Sequence, residues 1–530
     1  MDAPQYPAAV PADQVADLDT LVRRAAARWG GRRAWTFDET GEELTFQEVA
    51  DRVARLAEPL AGIGVGHGDR VAVLLRNRPE FPLTWLALAR LGAAMVPVNT
   101  NYRRHDAGHL LTDSGARLLV TAAEFLGLAA ELQDAVPGLE HVWDIDAPLP
   151  RTPATKKAGP GERTGPVPED LANIQYTSGT TGKPKGCLLP HRYWTVLAGS
   201  MVTEFPRLGP DDVLLTSQPF HYIDPQWNVA AGLLSGAHLV VLDRFHPASF
   251  WAKVREYGVT YFYCLGLMPA LLLRMPPDPG DRDHRVRAVQ CSAIPHQLHQ
   301  ALQDRWGVPW YEAFGMTETG ADLRVDERDH AASVGTGCIG RPTARRDVRI
   351  VGADGRPVPR GTTGEIALRG IGLMDGYLGR PEETAAAFRD GWFHTGDLGR
   401  MDHDGRVYHL GRAKDMIRRS GENVSAAEVE EVLLLHPAVG TAAVVAVPDE
   451  LRGEEIKACL VVAAGQSRPD LEELAAFCGR RLAYFKVPRY WEFRDTLPLT
   501  ASERVAKGTL LAGTGDPRLG AYDRVDGVWR

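Results

Sequence analysis

The sequence has little cysteine, and its cysteines are scattered. Six occur in 530 residues, and no two of them form a Cys-x-x-Cys pair. Six scattered cysteines in a chain of this length argue against both a disulfide framework and a structural zinc site, which are typical of cysteine-dense chains and of paired Cys-x-x-Cys spacing respectively. Since unpaired cysteines persist in reducing compartments, we expect a cytoplasmic protein.

Long hydrophobic runs and an excess of basic residues are missing as well. The most apolar stretch, residues 229–242, is shorter than the roughly 20 residues that a membrane-spanning helix needs. The amino-terminal residues lack the basic start and the apolar run of a secretory signal. The net charge of −8 leaves no positive stripe for a phosphate backbone. We therefore expect neither a transmembrane segment nor a nucleic-acid partner.

Helical and strand patterns alternate along the first part of the chain. Thr45 and Glu48 have the spacing of a capping box before an amphipathic run at 49–60, and residues 70–75 (RVAVLL) predict a buried strand. Further helix and strand patterns follow at 81–91, 95–98 and 117–121. Strands that alternate with helices indicate a parallel sheet covered on both faces. The predicted fold class is therefore α/β.

Two later stretches differ in composition from this pattern. Residues 148–169 are rich in Pro, Gly, Lys and Thr, which predicts a surface loop. Between 351 and 411, Gly-Arg pairs and Asp-Gly turns indicate short antiparallel strands. We expect a large N-terminal domain, residues 1–411, made of two α/β subdomains and a small β-rich subdomain.

The last part of the chain predicts a separate, smaller α+β domain, residues 412–530. Ser425 and Glu428 have the spacing of a second capping box. Strand and helix patterns follow it, with strands at 442–447 and 456–462 and a helix at 471–482. About 120 residues are enough for an independent folding unit.

The residues at 176–186 (YTSGTTGKPKG) carry the strongest chemical signal. Seven of these eleven residues are Gly, Ser or Thr, and they follow an apolar strand pattern. Glycines let the backbone bend around a ligand, while hydroxyls, N–H groups and lysines attract phosphate oxygens. We predict a phosphate-binding loop that contains Thr177, Ser178, Gly179, Thr180, Thr181, Lys183 and Lys185. A flexible linker is the alternative, but two lysines around one proline directly after a strand favour phosphate.

This loop is not the common nucleoside-triphosphate loop, which would need glycine at 177 and a hydroxyl at 184. It resembles the signature loop of the adenylate-forming superfamily, which includes acyl-CoA synthetases, luciferases and nonribosomal adenylation domains. Further family motifs follow in order: residues 313–319 (AFGMTET), 364–365 (GE), 391–397 (GWFHTGD) and 411–415 (GRAKD). The resemblance extends from 44 to 507 and is strongest to bacterial fatty-acid–CoA and carnitine–CoA ligase-like members.

The resemblance implies an ATP-dependent ligase that uses Mg²⁺. It would join a small-molecule acid to AMP and then transfer the acyl group to CoA. Two alternatives stay open: transfer to an amine, including activation of nitrite to diazotise an aryl amine, and a nucleotide-binding protein without catalysis. The sequence leaves the oligomeric state open, with a homodimer as one assembly.

The motif at 313–319 places a hydroxyl and a carboxylate side by side. One hard-oxygen ligand together with phosphates and waters is the usual way in which proteins hold Mg²⁺, so we predict Glu318 as the metal ligand, with Thr317 beside it in the catalytic set. The resemblance implies that Phe314 stacks on adenine, where the family usually has tyrosine, and that Gly315 contacts the substrate. An ordinary core aromatic is the alternative for Phe314.

Two later motifs suggest contacts to the sugar and to the α-phosphate. Asp397 has a carboxylate suited to accept both ribose hydroxyl protons, and the resemblance implies the same role. It also implies that Arg412 lies near the ribose or α-phosphate and that Lys414 is the hinge of a mobile C-terminal domain. The alternatives are a turn-forming aspartate and two solvated surface charges.

His221 matches the gate that the family has beside its acyl pocket, although a hydrogen-bonded core histidine is an alternative. The residues that follow it, Trp227 among them, are more polar than a tunnel for a long alkyl chain would be. If they line the pocket, they favour a small, polar or aromatic acid. Otherwise they face solvent.

The carboxyl-terminal motif departs from the family. Where members usually have Thr-x-x-Gly-Lys, with the lysine bridging the substrate carboxylate and the α-phosphate, this chain has Glu503 and Arg504 at the last two positions. Arginine keeps the charge but presents a planar fork in place of a compact ammonium. We expect either Arg504 or Lys507 to take this catalytic role.

Overall fold

The computed structural model describes residues 16–147, 165–177, 184–266, 268–420, 422–499, 505–511 and 515–530. The loop predicted at 148–169 lies outside the described residues from 148 to 164.

The described chain forms fifteen α-helices, most of them two to four turns long: α1 Leu18–Trp29, α2 Phe46–Gly62, α3 Glu80–Arg90, α4 Arg104–Ser114, α5 Leu126–Ala135, α6 His191–Thr203, α7 Ile223–Ser235, α8 Pro247–Glu256, α9 Met268–Arg274, α10 His299–Trp306, α11 His330–Ser333, α12 Pro381–Ala387, α13 Ala426–Leu434, α14 Leu471–Gly479 and α15 Lys507–Leu511.

Its strands belong to three sheets and are, in chain order, β1 Arg33–Phe37, β2 Glu42–Thr45, β3 Arg70–Leu74, β4 Ala94–Pro97, β5 Leu118–Thr121, β6 His141–Asp144, β7 Leu171–Thr177, β8 Lys185–Pro190, β9 Val213–Thr216, β10 His238–Val241, β11 Tyr261–Leu265, β12 Ala288–Ser292, β13 Trp310–Met316, β14 Gly320–Arg324, β15 Cys338–Pro342, β16 Arg346–Val351, β17 Thr363–Gly370, β18 Phe388–Arg389, β19 Trp392–Met401, β20 Val407–Arg412, β21 Met416–Arg419, β22 Glu422–Ser425, β23 Val439–Asp449, β24 Gly453–Val462, β25 Tyr490–Phe493, β26 Tyr522–Asp523 and β27 Val528–Trp529.

The first sheet has the order β6-β5-β3-β4-β7-β8 and is parallel except for the hairpin β7–β8. Alternate residues of β3 enter different cores: Val71 and Val73 pack with the central helices, and Ala72 and Leu74 pack with α4 and α5. The predicted α/β fold with a sheet covered on both faces is confirmed. The predicted capping box is present too, because Thr45 and Glu48 cap α2 reciprocally.

The second sheet has a parallel part and an antiparallel part. Strands β10, β9, β11, β12 and β13 run parallel to one another, and β13 turns back into β14, which begins the antiparallel part. That part continues through β15, β20, β19, β17 and β16 and is the β-rich subdomain predicted between 351 and 411. Between the two sheets lies α3, whose residues from Phe81 to Ala89 are all buried. A helix that is buried on all sides explains its nearly continuous apolar sequence.

The third sheet forms the C-terminal domain around β23, β24 and β25. The last strand of the second sheet ends at Arg412, and the first strand of the third sheet begins at Met416. The predicted boundary after 411 stays a prediction. The capping box predicted at Ser425 and Glu428 is wrong, although α13 begins there. The Glu428 carboxylate instead binds the Lys486 ammonium at 2.6 and 2.7 Å, which holds it away from the helix end.

The two domains contact each other through α13. Arg274, at the end of α9, donates hydrogen bonds to the backbone carbonyls of Leu434 (3.0 Å) and Val439 (2.9 Å). Leu434 is the last residue of α13, where a helix leaves carbonyl acceptors without a partner in the helix, and Val439 begins β23. The guanidinium therefore ties the larger domain to the C-terminal end of this helix.

A buried carboxyl lies at the same contact. Glu431 of α13 faces the backbone N–H of His296, and burial raises the pKa of Glu431 to about 7. Across the contact, burial raises the pKa of Glu312 to about 8, and the two carboxyls are close enough to repel each other when both are ionised. Glu428 and Glu430, on the same helix, add to the negative charge that Glu431 experiences.

We expect Glu431→Gln to make the folded protein less sensitive to pH. The folded-state pKa of Glu431 lies above its ordinary 4.5, so its stabilising contribution is complete below that value and is lost as the pH rises through about 7. At pH 8 the neutral variant should be more stable by about 1–3 kcal/mol, and the difference should shrink toward pH 5. Thermal unfolding midpoints across this pH range measure it.

Glu428→Gln is the matched control, because Glu428 lies on the same helix and is paired with Lys486. It should not gain stability at pH 8. Equal pH profiles for wild type and Glu431→Gln would contradict this account of the interface.

Candidate functional site

The predicted phosphate loop connects the two strands of the hairpin β7–β8. Thr177 ends the first strand and faces Lys185, which begins the second. Ser178, Gly179, Thr180, Thr181 and Lys183 lie outside the described residues. The described part of the loop is thus its base, where two paired strands fix the direction in which the loop leaves the sheet.

Lys185 has partners within the protein. Its ammonium forms an ion pair with Glu383 of α12 and lies 5.3 Å from the centre of the Tyr377 ring. Its side chain is only 14% exposed. The sequence predicted a contact between this lysine and phosphate, which stays a prediction. The contacts present show that the ammonium also anchors the base of the loop.

Tyr377 connects this lysine to the predicted metal ligand. Its hydroxyl donates a hydrogen bond to Oε1 of Glu318 at 3.1 Å. The backbone around it lies alongside β8: Leu378 N–H donates to Gly186 at 2.8 Å, and Leu188 N–H donates to Gly376 at 2.9 Å. One segment of backbone therefore places the loop base and Glu318 on two sides of a single tyrosine. No sequence motif had singled out this residue.

Glu318 lies in the turn between β13 and β14, directly after Thr317, and is 8% exposed. Burial raises the pKa of its carboxyl, and Arg412 opposes that rise. Among the residues that the structure describes, none forms an ion pair with it within 4.0 Å. A buried carboxylate without a counter-ion fits a bound cation.

A single carboxylate also agrees with the predicted type of metal site. The described chain contains no cluster of three or more His, Cys, Asp or Glu side chains arranged to hold a metal ion. Mg²⁺ bound to a nucleotide needs only one or two carboxylates, because phosphates and waters supply its other ligands. The donors present therefore fit Mg²⁺ bound together with a nucleotide.

Asp397 and Arg412 face each other on the paired strands β19 and β20. Oδ1 of Asp397 is 3.2 Å from Nε of Arg412 and 3.1 Å from Nε2 of His409. Oδ2 of Asp397 is buried and has no hydrogen-bond partner in the described structure. A buried acceptor without a donor is costly, and hydroxyl groups of a bound ribose would satisfy it.

The turn that carries Asp397 is held by Glu365. Its Oε1 accepts a hydrogen bond from the Gly396 N–H at 3.0 Å, and its Oε2 lies 2.8 Å from Nδ1 of His394. Gly396 has a φ of +72°, a left-handed conformation that glycine adopts without strain. The motif at 364–365 is thus a support for the turn that presents Asp397.

Phe314 and Gly315 lie on β13 close to this group. The Phe314 ring is 5.9 Å from the His409 ring, between centres. A Cβ on Gly315 would lie 1.8 Å from the Gly320 carbonyl oxygen, so no other residue fits without moving the turn that carries Glu318. The predicted contacts to adenine and substrate stay predictions.

The carboxyl ends of the parallel strands bring a second set of residues to the same place. In such sheets ligands bind at this edge. His221 follows β9, and its backbone carbonyl accepts a hydrogen bond from Gln175 of β7 at 2.6 Å. Both ring nitrogens of His221 are buried without a partner in the described structure, and burial lowers its pKa to about 3. The hydrogen bonds that the core alternative supposes are missing from the described structure, and the role of His221 as a gate beside the acyl pocket stays a prediction.

Trp227, six residues further along, is 6% exposed, and its ring packs at 87° on Tyr263, with 5.4 Å between centres. The Tyr263 hydroxyl lies 2.5 Å from Ser292 Oγ, which donates to the Ala313 carbonyl at 2.7 Å. These two hydrogen bonds join the tryptophan and tyrosine pair to the strand that carries Phe314. Trp227 is therefore buried near the strand that carries Phe314, and its contact with the substrate stays a prediction.

One of the two C-terminal catalytic candidates, Lys507, lies away from these residues in this conformation. Lys507 forms an ion pair with Glu430 at 2.7 Å, inside the C-terminal domain. Arg504 lies outside the described residues. Lys414 lies in the short 3₁₀ turn Ala413–Asp415 that connects the two domains, and its side chain is outside the described part. The turn stands where the resemblance implies a hinge.

The chain belongs to the family of AMP-binding enzymes. The model for "AMP-binding enzyme" matches residues 22–378, and the model for "AMP-binding enzyme C-terminal domain" matches residues 428–504. The predicted membership of the adenylate-forming superfamily is confirmed.

Similar proteins agree over nearly the whole chain. A crotonobetaine/carnitine–CoA ligase of Escherichia coli O45:K1 is 34% identical over 505 residues, 91% of this chain and 96% of the relative. The o-succinylbenzoate CoA synthetase of Bacillus subtilis, solved with its acyl-adenylate intermediate, has a TM-score of 0.82 at 27% identity, covering 95% of this chain and 99% of that one. The same synthetase with ATP and a magnesium ion gives a TM-score of 0.81 at 29% identity, covering 92% and 98%.

One sequence prediction concerned membranes. Among the helices of the described residues, none combines the length and the apolar character that crossing a membrane requires.

Proposed function

We propose that the chain is an ATP-dependent acid–thiol ligase that forms an acyl-adenylate and then an acyl-CoA thioester. The observation that carries the proposal is the unpartnered Oδ2 of Asp397, buried beside Arg412 and close enough to Glu318 to affect its pKa. A ribose acceptor, a cation for the α-phosphate and a metal-binding carboxylate in one place are what adenylation needs.

In the first half-reaction, a carboxylate oxygen of the acid attacks the α-phosphorus of ATP. A P–O bond to the acid forms, and the bond to pyrophosphate breaks. In the second half-reaction, the sulfur of CoA attacks the acyl carbon, so a C–S bond forms and AMP leaves. The thiol proton passes to solvent. The protein supplies no nucleophile, and its contribution is positioning and charge stabilisation.

The residues divide this work by charge. Lys183, Lys185 and the loop hydroxyls would hold the leaving phosphates, with Asp397 on the ribose and Arg412 near the α-phosphate. Glu318 would hold Mg²⁺, which when bound neutralises charge on the phosphates. Because Lys507 is paired with Glu430, we assign the alignment of the attacking carboxylate to Arg504.

Similarity alone leaves the class of acid open. The relatives are named for crotonobetaine and carnitine, which are cationic acids, and for o-succinylbenzoate, which carries a second carboxylate. The neutral His221 suits either class as a donor or acceptor of a single hydrogen bond.

Acid-dependent exchange of pyrophosphate into ATP tests the proposal. The purified protein is assayed with a panel of aliphatic, cationic and aryl acids and with nitrite, each with CoA or with an arylamine. We expect exchange with at least one acid, and AMP and a thioester only when CoA is present. Release of AMP with the amine but not with CoA would favour the amide or diazotisation alternative. Nucleotide binding without exchange for any acid would favour a non-catalytic protein.

The same assay tests the hinge. We expect Lys414→Ala to leave ATP–pyrophosphate exchange within about twofold of wild type and to slow thioester formation on the order of tenfold, because only the second step needs the domain to rotate. Single-turnover rates of the two half-reactions separate these effects. Equal losses in both half-reactions would remove the hinge assignment.

A further inference from the structure

The short helix α12 holds both strands at the base of the phosphate loop. Glu383 in this helix forms an ion pair with the Lys185 ammonium at the start of β8. Arg380, directly before the helix, donates to Oδ1 of Asp113 at 3.2 Å, and Oδ2 of Asp113 accepts a hydrogen bond from the Tyr176 hydroxyl of β7 at 2.7 Å. Charged groups in and before the first turn of α12 therefore contact each of the two strands where the loop leaves them.

The position of α12 is fixed by packing as well as by these charges. The Tyr377 N–H donates to Thr384 Oγ1 at 2.9 Å, and that hydroxyl donates to the Arg380 carbonyl at 2.8 Å. A Cβ on Gly376 would lie 2.7 Å from the Thr384 side chain, so the helix and the segment beside β8 are in close contact. This packing places Glu383 next to the loop base independently of its ion pair.

The Lys185 ammonium has little free surface left for another ligand. The Glu383 carboxylate covers one part of it, the Tyr377 ring lies 5.3 Å from it, and the side chain is 14% exposed. Oε2 of Glu383 makes the ion pair, while Oε1 lies 4.0 Å from Nε of Arg380. The carboxylate thus keeps a second cation nearby when the ammonium leaves it, and the lysine has a partner that a phosphate must replace.

We propose that Glu383 competes with the leaving phosphates of ATP for Lys185 and so sets the affinity of the site for ATP relative to AMP. The inference rests on the proposed function, which needs ATP to bind at this loop. A partly buried ammonium needs a negative partner, and carboxylate and phosphate oxygens are both suitable. After pyrophosphate forms, the return of Glu383 to Lys185 favours its release. Glu383 is a positioning residue, because it acts through Lys185 and does not touch the substrate.

Equilibrium binding tests this inference without knowledge of the acid. Calorimetric titrations with ATP and Mg²⁺, and separately with AMP, measure the two dissociation constants without any acid present. Glu383→Gln keeps the shape of the side chain and removes its charge. We expect it to lower the Kd for ATP about fivefold, the effect of one partly exposed ion pair, and to leave the Kd for AMP within about twofold of wild type. AMP lacks the leaving phosphates, so its Kd also reports whether the variant is folded.

Two further variants separate the competition from other effects of charge. In a Lys185→Met background, Glu383→Gln should change the Kd for ATP by less than about twofold, because the cation for which both partners compete is absent. Glu382→Gln is the matched control, since it removes the same charge from the neighbouring, exposed position of α12. It should leave both dissociation constants unchanged.

A Kd for ATP in Glu383→Gln that is equal to or above that of wild type would overturn the inference and leave the ligase proposal intact. Equal changes for ATP and AMP would also overturn it, because they indicate a structural effect. So would an equal decrease in the Lys185→Met background, which would mean that the carboxylate repels the phosphates directly. A wild-type protein that does not bind ATP would contradict the proposed function itself, and this inference with it.

Discussion

Replacing Glu318 by glutamine is expected to lower acid-dependent ATP–pyrophosphate exchange by about 10²- to 10⁴-fold, the range found when a group that stabilises transition-state charge is removed. Glutamine keeps the shape of the side chain and can still accept the hydrogen bond from Tyr377. It removes the negative charge that fits Mg²⁺. Exchange rates at several Mg²⁺ concentrations measure the effect, and the variant should need more Mg²⁺ or show no saturation.

The folded state should not lose stability in this variant. Burial raises the pKa of Glu318, so the ionised carboxylate is disfavoured in the folded protein, and a neutral replacement removes that cost. The thermal midpoint at pH 7 should therefore be equal to or above that of wild type. A fall in the midpoint together with the activity would mean that lost folding explains the result.

Tyr377→Phe is the graded control. It removes the hydroxyl that donates to Glu318 at 3.1 Å and keeps the carboxylate. We expect a loss of about tenfold or less, because only the orientation of the ligand is affected. Wild-type exchange in Glu318→Gln, with Tyr377→Phe as the slower variant, would contradict the role of Glu318 as metal ligand.

Local patterns in the sequence were enough to predict much of the fold. The spacing of Thr45 and Glu48 predicts a helix start that forms as expected, because both partners lie within one turn. The failed box at Ser425 and Glu428 has the same spacing. Its glutamate pairs with Lys486, 58 residues later, and no pattern within a single turn contains that information.

The same limit applies to the site. Glu318 and Asp397 belong to recognisable motifs, so their residue types could be assigned. Tyr377 acts on Glu318 from 59 residues away, and Glu365 holds Gly396 from 31 residues away. Tyr377 reaches Glu318 because its segment lies alongside β8, and Glu365 reaches Gly396 because β17 pairs antiparallel with β19. The charge of Lys185 predicted phosphate as its partner. Its ion pair with Glu383 could not be predicted in the same way, because that contact depends on where α12 packs.

A buried ion pair beneath the metal turn is another feature that the sequence did not reveal. Arg346 of β16 binds Asp322 of β14 at 2.7 Å, with side chains that are 3% and 0% exposed. Arg346 also donates to the Thr319 carbonyl at 2.6 Å, and the Thr319 hydroxyl donates to Asp322. The pair therefore fixes the backbone that directly follows Glu318.

We expect Arg346→Met to destabilise the protein by about 3–5 kcal/mol, because it leaves Asp322 buried without its partner. Burial already raises the pKa of Asp322 while Arg346 opposes the rise. Without the arginine the pKa should rise further, so the loss should be larger at pH 8 than at pH 5. Denaturant unfolding at both pH values, followed by tryptophan fluorescence, measures this difference.

Two comparisons separate the unpaired charge from the loss of packing. The double variant Arg346→Met with Asp322→Leu buries no charge and should recover at least half of the lost stability, since an apolar pair can replace a buried ion pair. Arg369→Met breaks a partly exposed pair with Asp347 on the neighbouring strands, with side chains 28% and 39% exposed, and should cost no more than about 1 kcal/mol. If the double variant is no more stable than Arg346→Met, the hydrogen bond to Thr319 carries the stability, and the ion pair does not. If the double variant does recover stability, its exchange activity shows whether the hydrogen bond to Thr319 is also needed to hold Glu318 in place.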